Sequence, residues 1–467
     1  MTRHHFAALV LGLTLGAASV GHAQTHGHEG HVHDAGTTPT TSSPDQPDAL
    51  ATYFMQQSSG TSTQPASWPM PMWMKDHAGW QFAVMGQAFL VSTVQSGPRG
   101  DDGAYSVNWL MASAGRSVGR GRVQFRIMTS AEPATTDRRR YPLLFQTGES
   151  AYGTPLVDGQ HPHDFFMELS AQYARSLGRG GIASVYYGVV GDAAVGPVAF
   201  PHRASALELP QATLGHHWHD STHIASNVLT IGWTRGPVRL EASAFHGTEP
   251  DERRWDVDLG AMNSWSVRTS VAPHANWMGQ VSFARLRQPE SFHPDDVDRT
   301  TASVHHVAPR GDGDALATSV IWATNRKSVA RTRTHAVAVE TLVPVASGHL
   351  VSGRLEWTQR DELFEYDHDL AHEIAERTGK TAFDVTALTL GYARELAATG
   401  GLGVGVGAAV TRYWTDRALV PFYGAKPWGA SVFLRLRVRG PSGKHGSHAP
   451  TMAERAGLAP SEGQPRR

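Results

Sequence analysis

From about residue 80 to residue 439 the chain alternates short strand-like segments with connections that are short and long in turn. The short ones include Gly115–Arg120, Leu177–Gly181, Arg235–Pro237, Ala272–Asn276, Val345–Ser347 and Ala397–Gly400. The long ones include Ala131–Pro162, Gly191–Ser221, Gly247–Asn263, Asp361–Thr381 and Asp416–Pro427. Tight turns at one end and extended loops at the other are the pattern of a transmembrane antiparallel β-barrel of the up-and-down kind. No apolar run of about 18 residues follows the N-terminus, which excludes helical spans.

Side-chain alternation supports this all-β reading. In the last segment Trp428, Ala430, Val432, Leu434, Leu436 and Val438 share one face, and Gly429, Ser431, Phe433, Arg435, Arg437 and Arg439 the other. Val123, Phe125 and Ile127 oppose Arg122, Gln124 and Arg126. Phe165, Met167, Leu169, Ala171 and Tyr173 oppose Asp164, Glu168, Ser170 and Gln172. Val238, Leu240, Ala242 and Ala244 oppose Arg239, Glu241 and Ser243. Strand ends carry Trp80, Tyr105, Trp109, Trp233, Trp277, Trp357, Tyr392, Tyr413 and Trp428, the expected interfacial girdles. About sixteen strands are expected, within a range of about 14 to 18 because 299–307 and 314–325 are weakly patterned. An even count puts both termini on the periplasmic side of a Gram-negative outer membrane, with outer-membrane lipid and the barrel-assembly machinery as partners. The interior then carries Arg122, Arg126, Arg239, Arg435 and Arg437 balanced by Glu168, Glu241 and Glu356.

Residues 1–23 read as an export signal, with Arg3, an apolar run Phe6–Val20 and the small-x-small site Gly21-His22-Ala23. Residues 24–69 are rich in Gly, Thr, Ser, Pro, Gln and His and are expected to be a disordered periplasmic tail. The barrel should occupy 70–439 and a polar tail 440–467. A formal net charge of −1 gives no basis for nucleic-acid binding, and the absence of cysteine removes disulfides and thiolate metal sites.

Histidine, at 26 residues, is the chemical anomaly. In the N-terminal tail, His26, His28, His31 and His33 beside Glu29 and Asp34 have the donors to wrap Cu(II), Ni(II) or Zn(II); a solubilising low-complexity tail is the alternative. Met70, Met72 and Met74 are soft thioether donors suited to copper, or else a lead-in strand packing its methionines at the barrel mouth. Within the barrel region, His161, His163 and Asp164 enter one strand, and His216, His217, His219 and His223 close the next long loop. Both groups belong to the long-loop end, where they either converge on a metal or pin two inward-folded loops. No enzyme is expected. His368 and His372 lie one helical turn apart, but Glu376 stands where a zinc-protease motif needs histidine, and no Gly-x-Ser-x-Gly elbow occurs.

The strings Tyr141–Glu149, Gln160–Asp164, Gly196–Arg203 and Leu214–Asp220 resemble a family of outer-membrane proteins predicted from sequence, a resemblance that implies location and fold and no catalytic residues. A looser likeness, carried by His26–His33 and Met70–Met74, is to copper-resistance outer-membrane barrels. The functional expectation is passage or handling of a small solute, transition-metal binding being its most specific version. Copper suits the Met and His types together; nickel or zinc suits the histidines alone. A general porin or structural barrel without metal is the alternative.

Overall fold

The computed structural model describes residues 49–137, 140–290, 293–310 and 314–440. Sixteen antiparallel strands form the wall. They are β1 (Trp80–Gln95), β2 (Asp102–Val118), β3 (Gly121–Thr129), β4 (Phe166–Gly178), β5 (Gly181–Gly191), β6 (Ala225–Arg235), β7 (Val238–His246) and β8 (Ser264–His274). The remainder are β9 (Trp277–Leu286), β10 (Val297–Pro309), β11 (Ala315–Lys327), β12 (Arg333–Ala346), β13 (His349–Arg360), β14 (Phe383–Thr399), β15 (Leu402–Thr415) and β16 (Trp428–Val438). Each strand pairs with the next, and β1 pairs with β16 from Gln87↔Arg437 to Gln95↔Gly429, so the barrel closes. Closure leaves the sheet no free edge, the condition for a barrel to sit in lipid. The weakly patterned stretches are the full strands β10 and β11, which settles the count at sixteen.

The short turns are tighter than the sequence implied. Between β4 and β5 only Arg179 and Gly180 intervene, at φ 49° and 72°. Two successive left-handed residues match the twist of a hairpin, and Gly180 adopts that conformation without a Cβ penalty.

Outward side chains are apolar: Leu90, Leu110, Ile231, Val281, Leu355, Leu390 and Val432 are all exposed. Their strand neighbours point inward and are polar, as Arg435, Arg437, Arg239 and Glu241 show. Two expectations fail locally. Met167 is fully buried and packs inside against Met111 and Met128, because a register shift beside Thr129 turns it off the outer face. Tyr105 and Tyr413 are buried inward, and Trp109 packs edge-to-face with His202, so these three leave the girdle.

The interior is filled by protein segments. Residues 49–69, expected to be disordered, are ordered within it. The helix Ala49–Met55 packs Leu50, Tyr53 and Phe54 on Ala174 and Ile182 at the short-turn end. The following turn reaches inward, where Ser59 Oγ donates to Asp192 and Gly60 N donates to Glu168. It returns to the short-turn end, with Ser67 N donating to Ala275 O. Its polar composition, unsuited to an apolar core, suits a barrel interior lined by charge. Residues 1–48 and 441–467, which hold the expected signal segment, the histidines His26, His28, His31 and His33 and nearly all of the polar C-terminal tail, lie outside the described residues.

The largest intrusion is the 192–224 loop, which crosses to the opposite wall. Arg203 makes two bonds to Glu340 of β12 at 2.7 and 3.0 Å, and Arg354 of β13 adds a third at 3.0 Å. Glu208 holds Arg435 and Arg437 of β16, and Leu214 N donates to Glu356 at 2.6 Å. The expected lumen arginines therefore do face inward: Arg126 and Arg239 bond the 58–61 backbone, Arg435 and Arg437 hold Glu208, and Arg122 bonds Gln81 of β1. Replacing Glu340 by Ala removes the carboxylate shared by two buried guanidiniums, leaving Arg203 to Asp220 and Arg354 to backbone carbonyls, a loss of about 3–5 kcal/mol. The expected outcome is protease cleavage within 192–224 of a barrel that still migrates as the unboiled form; resistance equal to the parent contradicts this role.

Candidate metal centre

Two long loops build the site at the long-loop end. In the 130–165 loop, a two-residue ladder between Tyr141–Pro142 and Gly159–Gln160 fixes the approach to His161. The helix Glu132–Thr135 places the buried Glu132, whose carboxylate accepts from His163 N at 2.9 Å and contacts His163 Nδ1 at 2.8 Å. In the 192–224 loop, the single helical turn His216–His219 puts His216 four residues before Asp220, and their side chains meet at 2.7 Å. His223 Nδ1 lies 2.8 Å from the Asp220 carbonyl oxygen.

The imidazoles converge. His161, His216 and His217 are all buried and each offers a nitrogen within 4.8 Å of the others'. His163 and His223 extend the group, with ring centroids 5.4 Å apart and His223 5.4 Å from His216. Phe200 packs against His163 and His216 as an apolar wall. His163 Nε2, His223 Nε2 and His217 Nδ1 have no hydrogen-bond partner among the described residues. A backbone constraint supports the arrangement: a Cβ on Gly148, at φ 114°, would stand 2.5 Å from the His217 ring.

Carboxylates surround the cage. Glu149 Oε1 approaches His161 Nε2 to 2.6 Å without hydrogen-bond alignment, and its other oxygen accepts from Arg254 at 3.0 Å. Arg254 also contacts Asp164 at 3.4 Å, so Asp164 belongs to the frame and not to the ligand set. Asp220 receives His216 and Arg203, and Phe200 N donates to it at 3.0 Å. His217 Nδ1 lies 3.6 Å from Glu249.

Burial dominates the electrostatics. Desolvation, helped by Arg254 and neighbouring imidazoles, drives His161 well below its ordinary range, and desolvation likewise lowers His216 and His223. For His163 burial acts downward, but the charge and hydrogen bond of Glu132 outweigh it and the net shift is upward. His217 is raised in the same way, Glu249 overcoming burial. Burial alone would raise Asp220; the hydrogen bond and charge of His216, with Arg203, hold it far below the carboxylate range. The cage thus mixes neutral imidazoles, which have lone pairs to give, with two that lean on carboxylates.

Of the sequence-derived candidates, His161, His163, His216, His217 and His223 come together. His219 turns away, toward Arg203 and the Ala336 backbone, because it lies on the far side of its helical turn. Met70 and Met72 are buried in an apolar cluster with Trp68, Phe89 and Phe433, and Met74 packs on its margin, so their thioethers act as packing here. Glu132, Glu149, Glu249 and Arg254 were not singled out from sequence; their only signal was charge within long loops. The expected helix near 368 is present at His368–Thr378, and its His372 and Glu376 are solvent-exposed.

No protein-family model and no curated protein matches the chain. Among solved structures it is similar to OmpF of Salmonella typhi in complex with daunomycin, at 10% identity over 78% of this chain and 99% of that one, TM-score 0.49. It is also similar to the anion-selective porin of Comamonas acidovorans, at 11% identity over 77% and 99%, TM-score 0.44. The outer-membrane channel DcaP of Acinetobacter baumannii matches at 9% identity over 78% and 99%, TM-score 0.43.

Acid should loosen this region. Burial depresses His202 to about 3 and His219 to about 4 from an ordinary 6.5, and lowers His161 and His223 too. A base whose folded value is depressed contributes stability that is complete above 6.5 and declines as pH falls toward the folded value. Protease sensitivity of the 130–165 and 192–224 loops should therefore rise as pH falls from about 6.5 toward about 3–4. A flat profile over that window would contradict the burial of neutral imidazoles.

Proposed function

We propose that this chain is an integral outer-membrane barrel that handles a divalent transition-metal ion at a histidine cage inside its long-loop mouth. The supporting observation is the convergence of five buried imidazoles from two separate loops, three of them with nitrogens within 4.8 Å of one another. The exposed apolar belt fits an acyl-chain environment, and the proposed orientation puts both termini and the short turns in the periplasm. Imidazole nitrogens backed by carboxylates suit Zn(II), Ni(II) and Cu(II). Because plug and loops fill the interior, solute handling here means binding and loop-gated passage rather than free diffusion. The role is non-catalytic on this reading.

The competing reading is a structural or porin-like barrel in which the same residues pin the loops. The close contacts Glu132–His163 and Asp220–His216 favour it, since each would hold without metal. Isothermal titration of the purified barrel with Zn(II), Ni(II) and Cu(II) separates the two. The metal reading expects saturable binding that weakens at least about tenfold, or about 1.4 kcal/mol, in His216→Ala/His217→Ala. His219→Ala should bind as the parent does. Equal affinity in the double variant, or no binding by the parent, rejects the cage.

A further inference from the structure

We propose a second cation site at the long-loop mouth, formed by Glu290, His293, Glu362 and Glu365, which hands ions to the histidine cage through Glu249. The site stands on residues separate from the cage; only the hand-over rests on the metal reading above.

Glu290 and His293 lie between β9 and β10, and Glu362 and Glu365 between β13 and β14. Glu290, His293 and Glu362 each offer an atom within 4.8 Å of the others. Glu365 Oε1 lies 2.6 Å from His293 Nε2, and Glu290 Oε2 lies 3.7 Å from the same nitrogen. Side-chain exposure runs from 28% at His293, through 17% and 18% at Glu290 and Glu365, to 6% at Glu362, so the group opens to solvent on one side and is closed on the other. Charge is unbalanced. Glu290, Asp361, Glu362 and Glu365 face two basic groups, His293 and the Lys327 ammonium, whose Nζ lies 2.5 Å from Glu362 and 3.1 Å from Asp361. A divalent cation would relieve that crowding, and three carboxylates with one imidazole make a harder donor set than the cage, suited to Mn(II) as well as Zn(II).

Glu249 connects the two places. Its backbone N donates to Pro289 O at 2.8 Å, fixing it beside Glu290, while its Oε1 lies 3.6 Å from His217 Nδ1. Its Oε2 is buried and has no hydrogen-bond partner among the described residues. An unpaired carboxylate oxygen between an exposed cluster and a buried one is an intermediate ligand for an ion moving inward.

Two probes test this on the full-length barrel in detergent, with folding verified by its unboiled gel mobility. Mn(II) binding is read from loss of the sharp electron paramagnetic resonance signal of the aqueous ion, and Zn(II) stoichiometry from calorimetry. The parent should bind Mn(II) at one site and Zn(II) at two. His293→Ala/Glu362→Gln should lose the Mn(II) site and one Zn(II). Lys327→Met, by removing the competing ammonium, should tighten Mn(II) at least about fivefold, a gain that misfolding does not produce. Mn(II) binding unchanged in His293→Ala/Glu362→Gln, or not tightened in Lys327→Met, overturns the outer site. If His216→Ala/His217→Ala keeps both Zn(II) ions while the outer variant loses one, the cage fails and the outer site stands. For the hand-over, Glu249→Gln should slow Zn(II) arrival at the cage, read by stopped-flow, at unchanged outer Mn(II) affinity; an unchanged rate overturns it.

Discussion

One buried carboxylate, Asp220, joins wall, loop and site. It accepts from Arg203, which grips Glu340 of the opposite wall, and it orients His216 within the cage. It also accepts from Phe200 N, so it sets the backbone course of the loop as well. A lone carboxylate so deep would be costly, and three donors make it tolerable. The loop is thereby drawn across the barrel, and the cage forms where it meets the 130–165 loop. Remove that anchor and His216 loses its carboxylate partner while Arg203 loses one of its two.

The wall was legible in sequence because period-two alternation is a local property that survives without knowledge of partners. Loop rhythm gave the hairpin order, and closure is completed by the pairing of β1 with β16. Exceptions arose where alternation was broken, as at Met167, where an extra residue beside Thr129 resets the face. Tyr105 and Tyr413 were misplaced because an aromatic at a strand end serves an interface and a plugged interior equally well.

The interior was far less legible. Ser58, Ser59, Thr61 and Gln64 look like linker residues, yet each is buried, since a charged lumen rewards hydrogen-bonding side chains that an apolar core would reject. The histidine motifs were visible as strings, but Glu132, Glu149 and Glu249 come from positions whose spacing carries no signal. Their proximity is a product of loop folding. His219 illustrates the converse: it belongs to the densest histidine string and still faces away.

A metal held by the cage is the central claim, and X-ray absorption at the zinc edge tests it most directly. With one equivalent of Zn(II) on the full-length barrel, the account predicts at least three nitrogen ligands at about 2.0–2.1 Å with imidazole outer-shell scattering. That shell of three or more nitrogens should be lost in His216→Ala/His217→Ala. An oxygen-only shell in the parent, or an imidazole signal unchanged in that variant, would contradict it.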